Sequence, residues 1–67
     1  MTNAVNSVDI PVGARIELED GSIVKVNDNP RDGMWVFGNY EKNLSDPSLV
    51  SDKDHPIFAP DILRVLP

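Results

Sequence analysis

His55 is the only histidine in the chain, and Ser48, Ser51, Asp52 and Asp54 stand close to it in sequence. A serine within hydrogen-bond reach of an imidazole is the start of a nucleophilic site. Asp52, Asp54 and His55 are also residue types that ligate metal ions. Neither chemistry is expected here. Ser51-Asp52-Lys53-Asp54-His55-Pro56 reads as a solvated turn, and a loose turn does not preorganise donors around developing charge. Glu17 and Glu19 pair two carboxylates, but on the outer face of a strand with no sign of a pocket. The glycines (Gly13, Gly21, Gly33, Gly38) are scattered at expected turns and make no phosphate-cradling loop. Cysteine is absent, which excludes thiolate zinc sites, cysteine nucleophiles and disulfides. A chain of 67 residues also has little volume for a ligand cleft on the order of several hundred Å³. The expectation is a protein that is not an enzyme, with no catalytic residues, no cofactor and no metal.

Asn27-Asp28-Asn29-Pro30-Arg31-Asp32-Gly33 has the look of a calcium loop, through Asp28, Asp32 and Gly33. The match fails where it matters. Pro30 stands where such a loop wants Asp or Asn, and Asn39 stands where it wants a bidentate Glu. The segment reads better as a turn, since Asn and Asp bond their own backbone, Pro presets φ and Gly supplies positive φ.

The chain must build its elements within one small domain. At this length only about 60% of the unfolded surface becomes buried, so a lone monomer is marginally stable. With disulfides excluded, docking on another protein or forming a homo-oligomer is the expected support. The formal charge is −5, from 11 acidic and 6 basic residues. The acids are spread along the chain. This balance lacks the electrostatic footprint of phosphate binding, so no direct nucleic-acid binding is expected. Met1–Ser7 has neither the basic start nor the apolar core of a signal peptide. No apolar run approaches the ~20 residues of a membrane helix. The expectations are no membrane contact and a cytoplasmic location.

Residues 1–8 are small and polar and read as a mobile lead-in; residues 9–67 form the domain. In Ala14–Glu19, Ala14, Ile16 and Leu18 fall on one face and Arg15, Glu17 and Glu19 on the other, the pattern of a half-buried strand. Asp20-Gly21 follows, a strong hairpin signal through a type I′ turn. Ser22–Val26 is the second strand, with Val24 and Val26 toward the core. Met34–Phe37, reaching toward Tyr40, is the third. Its four consecutive apolar residues leave one alternate pair, either Met34 and Val36 or Trp35 and Phe37, pointing away from the core. Residues 38–56 lack strand pattern and form a long loop. Within it a short helix is expected over Asp46–Ser51, with Asp46 as N-cap and Pro47 at the first position. Ile57-Phe58 is a brief strand, Pro60-Asp61-Ile62 a 3₁₀ turn, and Leu63–Leu66 a last strand that pairs with the first. The fold class is all-β: about five short antiparallel strands, one 3₁₀ turn and a short helix in the long loop.

Ile57-Phe58-Ala59-Pro60-Asp61-Ile62-Leu63-Arg64-Val65-Leu66 resembles the closing segment of SH3 domains, where an apolar pair precedes a Pro and a one-turn helix. Met34-Trp35-Val36-Phe37 sits where those domains carry their Trp strand. Gly13-Ala14-Arg15-Ile16-Glu17-Leu18 with Asp20-Gly21 is similar to the first hairpin of Tudor-like barrels. The resemblance implies an SH3-like small barrel. The chain lacks the Ala-Leu-Tyr-Asp-Tyr-like segment and the closing Tyr of true SH3 domains. Their aromatic-lined peptide groove is therefore not implied.

The expected function is a non-catalytic protein–protein interaction module or accessory subunit. Its expected contact surface is Trp35, Tyr40 and Phe58, with Asp32 and Asp54 as a charged rim, because exposed aromatics are common binding anchors. Two other roles fit the composition. One is a small acidic inhibitor, such as a phage-encoded one, that imitates nucleic acid before a basic protein. The other is a small structural component of an assembly.

Overall fold

Strict alternation at Ile16, Leu18, Val24 and Val26 leaves the apolar side chains one way to hide, which is to pair the strands and curl them over a common core. A computed structural model describes residues 6–67 of the chain and shows this arrangement. Five antiparallel strands form one sheet: β1 Arg15–Leu18, β2 Ile23–Asp28, β3 Trp35–Lys42, β4 His55–Phe58 and β5 Ile62–Val65, in the order β4-β3-β2-β1-β5. Three 3₁₀ turns accompany them, at Ser7–Asp9, Pro47–Leu49 and Ala59–Asp61. The five-stranded antiparallel sheet is compatible with an SH3-like fold. Among the described residues no helix is long and apolar enough to cross a membrane.

The core is Ile10, Ile16, Leu18, Val24, Val26, Val36, Ile57 and Ile62, with Ala14, Tyr40 and Ala59 packed against it. The period-two pattern assigns Ile16, Leu18, Val24 and Val26 to one face; Ile10, Val36, Ile57 and Ile62 join them from segments that show no alternation. β5 pairs with β1 through Ile16↔Val65 and Glu17↔Arg64, so the last strand meets the first. On the outer face, Arg64 Nε donates to Glu17 Oε1 at 2.6 Å and Arg15 Nε to Glu41 Oε1 at 2.6 Å.

Several expectations need correction. The β1–β2 hairpin exists, but its turn is not type I′. Gly21 alone takes positive φ, at 89°, while Asp20 does not. Gly21 N–H donates to the Leu18 carbonyl and Leu18 N–H to the Ser22 carbonyl. This makes a three-residue loop with a left-handed residue at its end, the next commonest hairpin solution. In such a loop only the last residue needs positive φ, and the Asp20 carboxylate accepts the Ser22 N–H at 2.8 Å.

The third strand runs on to Lys42, where an irregular loop was expected from residue 38. Its second half has no apolar alternation to announce it. It is held by backbone pairing to β2, with register shifts that let polar side chains point outward. Gly38 thus lies inside a strand and not at a turn. The helix expected over Asp46–Ser51 is a single 3₁₀ turn, Pro47–Leu49, with Asp46 accepting from Ser48 N–H and Pro47 at its start. The last 3₁₀ turn covers Ala59–Asp61, one residue earlier than expected.

The expected lead-in over residues 1–8 falls partly outside the described residues. Its last residues belong to the fold. Ser7 is buried, and Asn29 Nδ2 donates to the Ser7 and Ile10 carbonyls at 2.8 and 2.9 Å. One amide side chain from the β2–β3 loop thereby fastens the Ser7–Asp9 turn.

Candidate functional site

β3 decides where the aromatic residues go. Val36 and Gly38 face the core and are buried, so Trp35 and Phe37 must face outward. On β4, Ile57 is buried opposite Val36, which turns Pro56 and Phe58 outward. Register then sets Trp35 opposite Phe58 and Phe37 opposite Pro56. Directly opposed side chains in an antiparallel pair touch. The Trp35 and Phe58 ring centroids are 5.1 Å apart with planes tilted by 48°, an aromatic geometry that is favourable beyond its area. Trp35 remains 38% exposed and Phe58 39%. Met34, beside them, is also exposed.

Asp32 builds the entry to this face. Its Oδ1 accepts from Met34 N–H at 2.8 Å and from Trp35 N–H at 3.0 Å. The carboxylate therefore fixes the backbone from which Trp35 projects. Its position at the start of β3 makes it a structural cap. Both hydrogen bonds favour the charged form and hold the Asp32 carboxyl below its ordinary value of 3.8; the Ser22 bonds do the same for Asp20. A carboxyl lowered by folding contributes stability above its unfolded pKa and loses it as pH falls through the folded value. Urea unfolding between about pH 6 and about pH 2 is expected to show stability level down to about pH 4 and falling below it. In Asp32→Asn the acid fall is expected to be shallower, because the amide oxygen can still accept while nothing titrates. An equally steep fall in that variant would remove Asp32 from the account.

The other expected site residues lie elsewhere. Tyr40 shares the inward face with Val36 and Gly38, half-buried against the core, and its ring lies 5.4 Å from that of His55. It does not join Trp35 and Phe58. Asp54 precedes β4, four residues from Phe58 and about 13 Å away along an extended chain. Its Oδ1 accepts from Asn27 Nδ2 at 2.8 Å, and that amide also donates to Asn39 Oδ1 at 2.7 Å. This polar cluster bounds the far end of the face. The residues that complete the aromatic pair are Met34, Phe37 and Pro56. Phe37 was legible from its i+2 relation to Trp35; Pro56 was not, because it lay in what reads as a turn.

A concavity lies at the end of the sheet near the β1–β2 hairpin. It is an open depression of about 320 Å³ lined by Leu18, Glu19, Asp20, Tyr40 and Asp61. The short length argued against any cleft of this size. It arises because the hairpin loop and the last 3₁₀ turn are tied together, Glu19 N–H donating to the Asp61 carbonyl at 3.0 Å. Burial pushes the Tyr40 phenol above its usual value, and the charges of Asp20 and Asp61 add to the effect. Among the described residues no group of three His, Cys, Asp or Glu side chains is placed to hold a metal ion.

No family model, curated protein or solved structure matches this chain. The functional reading therefore stands on these two surfaces alone.

Proposed function

We propose that the protein is a non-catalytic protein-interaction module, an adaptor or accessory subunit, that docks through the face built on Trp35 and Phe58. The observation that carries this reading is the pair itself. Two large aromatics, packed against each other across a strand pair, stay more than a third exposed on the sheet. Rigid aromatic anchors of this kind dominate binding energy at protein interfaces. Burying them on a partner also answers the marginal stability of so short a chain. The SH3-like reading of the fold is supported by the five-strand order and by the 3₁₀ turn between β4 and β5. The acid surplus favours partners with basic surfaces, and that is the ground for the second role, an acidic inhibitor of a basic protein.

The test is a tagged pull-down from lysate at low salt and at about 0.5 M salt, where exposed charge attraction is screened, using wild type and Trp35→Ala. The expected result is one stoichiometric partner that survives high salt and is lost from the variant, with the variant folded by circular dichroism. A basic partner that washes off with salt, and is held equally by Trp35→Ala, would replace the aromatic face with the acidic surface. Absence of any partner would sink both.

A further inference from the structure

The segment before β1 lies across the fold as a strap, and few bonds hold it down. Among the described residues, the only hydrogen bonds that tie residues 6–10 to another part of the chain are the two from Asn29. Its Nδ2 donates to the Ser7 carbonyl at 2.8 Å and to the Ile10 carbonyl at 2.9 Å. The Ile10 side chain adds one apolar anchor in the core. The strap ends at a turn in which Ala14 N–H donates to the Pro11 carbonyl at 3.1 Å and Gly13 takes a φ of 95°.

The loop that grips the strap also presents Trp35. Asn29 Oδ1 accepts from Arg31 N–H at 2.9 Å, and Arg31 holds φ at 62°. A residue with a side chain keeps that left-handed backbone only where its surroundings impose it. Asp32 follows, accepting from Met34 N–H and Trp35 N–H. Gly33 lies against the strap, since a Cβ built on it would stand 3.8 Å from Val8 Cγ2. The strap thus meets the β2–β3 loop at Asn29 and again at Gly33, and the strained Arg31 lies between the two contacts.

We infer that the strap is a latch on the docking face: while it is seated, Asn29 and Val8 hold the β2–β3 loop in the conformation that presents Trp35, and strap and loop open together as one unit. Every polar atom of the Asn29 side chain is engaged, the amide nitrogen on the strap and the oxygen on Arg31. Release of the strap frees that amide to turn and lifts the constraint on Arg31. Relaxation at Arg31 then shifts Asp32 away from the Met34 and Trp35 amides. Displacing the strap loosens the aromatic face, and a partner seated on Trp35 tightens the strap by the same factor. That regulatory consequence rests on the docking role proposed for Trp35. The latch itself does not, and it is measured on the free chain.

The experiment is native-state hydrogen exchange of the full ¹⁵N-labelled chain in graded, sub-denaturing urea, which gives each amide an opening equilibrium and a urea slope. The amides of Asp9, Ile10, Arg31, Met34 and Trp35 are expected to share one opening with a small slope, separate from the global unfolding that releases Leu18 and Val26. Asn29→Asp parts the latch from the loop, because the carboxylate still accepts from Arg31 N–H and has no donor for the strap. It is expected to speed exchange at all five amides by about 3- to 10-fold, the scale of a lost hydrogen bond. Ile10→Val loosens the strap from the core side without touching the loop, and is expected to speed the same five by about 2- to 10-fold. Met34 and Trp35 opening apart from Asp9 and Ile10, all five merging with global unfolding in the wild type, or a rise confined to the strap amides in either variant would each overturn the latch. Failure here leaves the docking role of Trp35 standing, and failure of the pull-down leaves the latch standing.

Discussion

Gly38→Ala is expected to abolish stable folding, while Gly21→Ala leaves a folded, weakened protein. A Cβ built on Gly38 falls 2.2 Å from the Lys25 carbonyl oxygen, 2.9 Å from the Lys25 carbonyl carbon and 2.7 Å from Val24 Cγ1. The Lys25 contacts are to backbone of the neighbouring strand, which cannot swing aside as a long side chain would. To admit a methyl group, β2 and β3 must separate at Val26↔Gly38, beside the register shift that lies between Val26 and Asp28. Overpacking in a core costs about 1–3 kcal/mol, and more where backbone must move. A domain of this length has about 3–10 kcal/mol in total. At Gly21 a Cβ meets nothing within 4 Å, and the cost there is the positive φ alone, about 1–2 kcal/mol. Urea denaturation of both variants reads the difference directly. A Gly38→Ala protein with a wild-type midpoint would show that β2 and β3 do not approach as described.

The second large effect is expected at Ile16. Its side chain is fully buried, and its backbone sits between Val24 on β2 and Val65 on β5. Ile16→Ala removes three carbons from the strand that joins β5 to the rest of the sheet. The loss is expected to be about 2–5 kcal/mol, from transfer and cavity terms combined, a large share of the available stability. Leu63→Ala is the matched control. Leu63 is 52% exposed, and its truncation should move the midpoint within about 0.5 kcal/mol. Equal losses at the two positions would mean that β5 buries a different face.

Much of this fold could be read from residue order, and the reasons are local. Ile16, Leu18, Val24 and Val26 alternate with charged residues, so their strands and their core face follow from geometry. Asp46-Pro47 marks the start of a 3₁₀ turn because cap and first-position preferences are properties of single residues. The face of Trp35 was not legible, since Met34-Trp35-Val36-Phe37 is apolar throughout. Gly38 settles it: a residue that must lie under the Lys25 carbonyl points inward, and Trp35 is then outward by parity. Tyr40 was misjudged as a partner of Trp35 for the same reason, because parity along β3 sends it to the opposite side. The depression was invisible because Glu19 and Asp61 are far apart in the chain and are joined by one backbone hydrogen bond. Asn29 as the clasp of the Ser7–Asp9 turn was equally hidden, since an amide in a polar loop looks like any other.

The order β4-β3-β2-β1-β5 also has a kinetic meaning. The meander from β1 to β4 joins strands that follow one another along the chain, through loops of four, six and twelve residues. The pairing of β1 with β5 joins Glu17 to Arg64 across 47 positions, and closing a loop of that length costs about 2 kcal/mol more entropy than closing a hairpin of a few residues. That cost falls on the step that shields the outer edge of β1. Until the final strand arrives, Ile16 has an unpaired backbone on one side and half a core behind it. The C-terminal strand is therefore what covers the outer edge of β1, at Ile16 and Glu17.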